Sequence, residues 1–169
     1  MVRKFLILIV FAMSHVHIDA QHATDFSTIN QVIRHELGDS IAGLILSSDS
    51  IIGNLTVWEK DTLPDKSLSA CMRNLVKYTL CKPSMYKSDK RIYASFYADV
   101  RLEIISQTAS LVLELDYSTY KWRLLDGGGR QVCRHDLPDQ AILPLVHMIW
   151  PESKLINIKY NKYILPDEK

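Results

Sequence analysis

Cys133, His135 and Asp136 fall within one run of four residues, and their types are those of a nucleophilic site. A thiol attacks as its thiolate, an imidazole takes the proton, and a carboxylate orients the imidazole. Residues two apart on a strand share a face, so the Cys133 and His135 side chains are placed to meet. The chemistry this would serve is that of a small hydrolase. The wider signatures of cysteine hydrolases are missing. The plainer expectation is a strand end with one buried Cys and one solvated His. As metal ligands the same residues make a single pair, whereas structural zinc takes four. Neither Cys-x-x-Cys nor His-Glu-x-x-His occurs, and His35, Glu36 and His147 lie on other segments. No metal and no cofactor is expected.

Other constellations lack parts. Asp99, Glu103, Glu114 and Asp116 share one alternating face, as a pair of glycosidase carboxyls would. Arg101, Lys121 and Arg123 lie on the same face, and mixed charge across neighbouring strands is ordinary dressing of a wet surface. Gly127-Gly128-Gly129-Arg130 has no Lys-Ser/Thr and no helix start after it. Asp126-Gly127 signals a hairpin turn instead. No Gly-x-Ser-x-Gly elbow is present. Tyr93 and Tyr97 alternate opposite Phe96, beside Arg101. On an uncovered sheet face they would form a stacking platform for a protein or glycan partner, extended by Tyr117, Tyr120 and Trp122 if the turns allow it. If a helix or the C-terminal tail covers that face, the same aromatics are core.

The elements that would position these residues follow from hydrophobic periodicity. Ile92, Ala94, Phe96, Ala98, Val100, Leu102 and Ile104 alternate with polar residues, the pattern of a sheet with one buried face. Leu111, Leu113 and Leu115, then Tyr120, Trp122 and Leu124, continue it after short turns. Gln131 to Arg134 adds a short fourth strand. The result is an antiparallel meander over about 92–134. Helices are expected over 25–37, ended by Gly38, over 65–81, capped by Asp65 or Ser67 and stopped by Pro83, and over 139–150, with Pro144 near its true first turn. Ile41–Leu46 and Leu55–Lys60 are expected as strands, with Ser47–Ser50 and Gly53-Asn54 as turn residues. They would extend the sheet as an N-terminal hairpin. The segment 155–163 is expected as an edge strand or a docked tail. The fold class is α+β, with the meander packed against two to three helices.

Residues 1–20 have the layout of a secretory signal peptide: Arg3 and Lys4, then Phe5–Met13 without a polar residue, then a polar stretch ending at Ala20. Nine apolar residues are too few to cross a bilayer, which takes roughly 20. Cleavage is expected between Ala20 and Gln21, leaving one domain over 21–169, secreted or periplasmic, with no membrane span. The 47% hydrophobic composition rules out intrinsic disorder. The net charge of +1 gives no footprint for nucleic acid. Export makes a disulfide possible. With three cysteines at most one internal bridge forms. Cys71 and Cys81 on one helix would be roughly 15 Å apart, beyond the about 7 Å limit. Cys81 with Cys133 is the better pair, against the alternative of three buried thiols.

The run from Tyr93 to Ile104, the apolar strand after it and Tyr120-Lys-Trp-Arg together resemble a pattern in uncharacterised secreted proteins of Bacteroidetes bacteria, over about residues 63–150. The resemblance implies export and an α+β domain, and no established activity. The functional expectation is an exported, non-enzymatic binding or protein-interaction module using Tyr93, Tyr97 and Arg101. The alternative is the hydrolase built on Cys133, His135 and Asp136.

Overall fold

The helical stripe that opens the fold passes straight through its expected stop. The computed structural model describes residues 30–56, 63–87, 95–107 and 109–164, and α1 occupies 30–47. Ile33, Leu37, Ile41 and Ile45 recur every four residues and all turn inward, Ile33 and Ile45 completely. Gly38 does take a left-handed φ of 79°, but the stripe resumes beyond it. The strand expected at 41–46 is therefore helix. A short apolar run fits either period, and here the four-residue repeat decides it. Ser48 closes the helix, donating its hydroxyl to the Ile45 carbonyl at 2.8 Å. Lys77 donates to the carbonyls of Leu46 and Ser48, meeting acceptors that a helix end leaves orphaned. The expected leader 1–20, the expected helix start at 25–29, the expected strand segment 57–60 and Tyr93 lie outside the described residues.

Strand β1 is Ser50–Leu55, so Gly53 and Asn54 lie inside a strand rather than in a turn. Gly53 has a packing reason. A Cβ there would come within 2.9 Å of the Trp150 indole, and only glycine permits that approach. The two-residue β2 (Lys66–Ser67) pairs with β1, and α2 spans Ala70–Leu80. The cap is Ser69, whose hydroxyl accepts from the Met72 amide at 3.4 Å. This corrects the expected start at 65, because Lys66 and Ser67 are held in the sheet. A 3-10 turn, Pro83–Tyr86, follows.

The meander then runs β3 (Val100–Ile105), β4 (Ser110–Asp116), β5 (Lys121–Asp126) and β6 (Gln131–Asp136). Every pairing is antiparallel, in the order β2-β1-β3-β4-β5-β6. The sheet is extended on its N-terminal side, but by Ser50–Leu55 and Lys66–Ser67 rather than by the strands expected at 41–46 and 55–60; β1 pairs with β3 along its whole length. The first meander strand is shorter than its alternation suggested. Residues 95–98 carry no regular structure, and β3 begins at Val100. Helix α3 spans Asp139–Ile149 with Pro144 inside it, not at its first turn. Helix α4 spans Lys154–Ile164, where a strand or tail was expected. Its Tyr160 ring stacks on His147 of α3 with centroids 4.1 Å apart.

The fold is α+β, with the helices on one side of the sheet. Ile51, Leu55, Val100, Leu102, Ile104, Leu111, Leu113, Leu115, Trp122 and Leu124 join the buried residues of all four helices in one core cluster. Burying each large apolar side chain contributes about 1.5–3 kcal/mol. The alternating residues point to the other, outer face.

Candidate functional site

Strand β6 divides the first candidate constellation. Cys133 pairs with Leu124 and His135 with Trp122, both residues of the inner face. The His135 ring lies 5.2 Å from Trp122 and 5.4 Å from Tyr86, centroid to centroid. The two potential reacting groups therefore do share a side. Asp136, one residue on, points to the outer face and forms an ion pair with Lys121, so it does not orient His135. Burial pushes the Cys133 thiol up to about 11. Burial also holds the His135 imidazole below its usual value, against the opposing pull of Glu36 and Asp136. The pair is a neutral thiol beside a neutral imidazole. A nucleophilic pair requires the thiolate. Among the described residues, His135 Nδ1 is buried without a hydrogen-bond partner.

All three cysteines are free thiols: Cys81 is buried, Cys133 partly buried and Cys71 exposed. The Cys81–Cys133 bridge is not formed; the three cysteines are reduced, as the alternative had them, but only Cys81 is fully buried. Cys81 follows the last turn of α2 and belongs to the core cluster.

The aromatic constellation is rearranged. Tyr97 is 56% exposed, but it precedes β3 and does not share a strand with Arg101. Phe96, expected in the core, lies against the outer face. Its ring centroid is 4.2 Å from the Arg123 guanidinium carbon and 5.4 Å from that of Arg134. Tyr117 and Trp122 are buried, and of the three proposed extensions only Tyr120 reaches the surface.

The reason is a pair of aspartates at one corner of the sheet. Asp116 is fully buried. It accepts hydrogen bonds from the Tyr97 amide at 2.9 Å, from the Ser118 amide and hydroxyl at 2.8 and 2.6 Å, and from the Thr119 amide and hydroxyl at 3.0 and 2.7 Å. Burial alone would raise its pKa; the bonds from Ser118, Tyr97 and Thr119 outweigh burial and hold it low. Asp99 accepts from the Tyr117 amide at 2.7 Å. Its carboxyl is pushed up by burial, which outweighs that one bond, with the Asp116 charge adding to the rise. The two side chains tie residues 97–99 to the 116–119 turn, so the chain leaves the sheet where alternation alone would continue it.

What the outer face does bring together is a row across five strands. Asn54, Arg101, Glu114, Arg123 and Arg134 are successive cross-strand partners. Glu114 is only 5% exposed, with Arg101 Nε at 3.1 Å and Arg123 Nε at 2.6 Å. One buried carboxylate thus holds two guanidinium groups, and Phe96 lies against the second. Arg101 remains half exposed. Sequence alternation had marked Arg101, Glu114 and Arg123 as one face but had treated their charges as dressing; Arg134 and Phe96 were missed. Register was the lacking signal, because a cross-strand row exists only once the pairing is known.

No protein-family model matches this chain, and no curated protein or solved structure is significantly similar to it.

Proposed function

We propose that the chain is an exported, non-enzymatic binding module that takes a protein or glycan partner on the outer face of its sheet, at Arg101 and Tyr97. The observation that carries this reading is the Arg101–Glu114–Arg123 clamp. A guanidinium fixed before a partner arrives loses little freedom on binding. An exposed tyrosine and a half-exposed arginine also suit anchoring contacts. Two further features support the reading. Residues 1–20 have the pattern of a leader. The Cys133–His135 pair is held in the protonation states opposite to those of an activated nucleophile.

The test is a cross-linking pull-down of the mature protein from its native envelope fraction, read by mass spectrometry. One partner in near-stoichiometric amount, lost in Arg101→Ala and Tyr97→Ala, is the expected result. A partner that both variants retain would remove the site assignment. Rapid, selective alkylation of Cys133 in the folded protein would turn the reading towards the hydrolase.

A further inference from the structure

Among the described residues, Tyr120 is the one non-glycine residue with a left-handed backbone, at φ 54°. The β-carbon of an L-residue is crowded there, whereas glycine meets no such clash. Burial of the side chain would offset the strain, but the Tyr120 ring is half exposed. A bulky exposed side chain at a position made for glycine is not there for stability. Strain of this kind gathers at binding and active sites. The backbone is held on both sides. The Tyr120 carbonyl accepts from the Leu137 amide at 2.8 Å, and the Thr119 amide and hydroxyl donate to Asp116. Lys159 of α4 stands over the ring, 5.7 Å from its centroid. The ring is thus oriented before a ligand arrives, which lowers the entropy lost on binding. The same Asp116 oxygen that accepts from the Thr119 hydroxyl accepts from the amide of Tyr97, the second exposed tyrosine of this corner.

Resting on the reading of the chain as a binding module at Tyr97, we propose that Tyr120 joins Tyr97 and that the two rings stack on the sugar rings of a neutral glycan. A protein interface is centred on a desolvated apolar core. Residues 95–98 and 116–121 expose two phenol rings and no large aliphatic side chain. Charge is also scarce. Asp99 and Asp116 are buried and hydrogen-bonded, and Lys121 is paired with Asp136. A pyranose has an apolar C–H face and a rim of hydroxyls, which match the face and the hydroxyl of a phenol ring.

The full chain is titrated by calorimetry with cellopentaose, maltopentaose and chitopentaose, and with a heparin oligosaccharide as the charged counterpart. Saturable binding of at least one neutral oligosaccharide is expected. Tyr120→Gly and Tyr120→Asn, both compatible with a left-handed backbone, should weaken it roughly tenfold, the size of a lost aromatic contact. Their thermal unfolding midpoints should equal or exceed that of the parent, because the strain is relieved. Tyr120→Phe, which keeps the ring, should retain binding. A lower midpoint in both Gly and Asn variants makes Tyr120 a structural residue and overturns the proposal, as does binding that survives both. Preference for heparin overturns the neutral assignment. If no oligosaccharide binds while the envelope pull-down still yields a protein lost in Arg101→Ala and Tyr97→Ala, the glycan falls and the binding-module reading stands.

Discussion

The two faces of the meander are built from the same strands and held by different physics. On the inner face Leu111, Leu113, Leu115, Trp122 and Leu124 are buried against helices, and packing does the holding. On the outer face the intervening residues include Glu114, Arg123 and Arg134, and a buried carboxylate with its hydrogen bonds does it. Packing is non-directional and tolerates exchange of similar volumes. A charge network is directional and fails when one member goes. The inner face should therefore govern stability alone, and the outer face should govern both local geometry and recognition.

The sharpest test of the inner face is Trp122→Ala. It should cost about 3–5 kcal/mol by cavity formation and a lost hydrogen bond to the Met85 carbonyl, measured by urea unfolding. Asp116→Asn on the outer side should cost about 2–4 kcal/mol, because an amide presents donors to a site lined with donors. Its pH dependence has a definite sign. The folded pKa of Asp116 is depressed, so its stabilisation is present above the unfolded carboxylate value and is lost as pH falls through the folded one. Asp99 has the opposite sign: its raised folded pKa makes the charged form a cost as pH rises through that value. Asp116→Asn should therefore flatten the acid limb of a stability–pH curve, and an unchanged limb would contradict the assignment.

Gly53→Ala is the third perturbation, expected to cost about 1–3 kcal/mol as the added methyl meets a buried indole; thermal melts with and without Trp150→Phe would show the coupling. Arg101→Ala is the smallest. Its half-exposed ion pair should contribute no more than about 1 kcal/mol, while partner capture is lost. A large stability loss with partner binding retained would reverse the division between the faces.

The meander was legible because its alternation extends over several strands that bury only one face, a pattern a helix does not reproduce. The entry to the fold was not. Ile41–Leu46 fits both periods, and Gly53-Asn54 carries turn chemistry that the approach of Trp150 overrides. The C-terminal segment misled for a related reason: Ile156 and Tyr160 are four residues apart, but Ile158, exposed in the helix, stands between them and completes an alternation of period two. At the candidate site, Arg101 and Tyr97 were found by residue type. Glu114's role needed the register of β3, β4 and β5.

The sequence by itself determined the α+β class, the antiparallel meander with its inner leucines and tryptophan, and the pairing of Cys133 with His135 on one side of a strand. All three depend on spacing along one chain, where periodicity is a local property of the backbone. Only the tertiary structure decided that Asp136 turns away to Lys121, that Phe96 leaves the core to lie against Arg123, and that one buried glutamate gathers two arginines. Those arrangements depend on which strands become neighbours, and on two aspartates whose hydrogen bonds bend the chain out of the sheet.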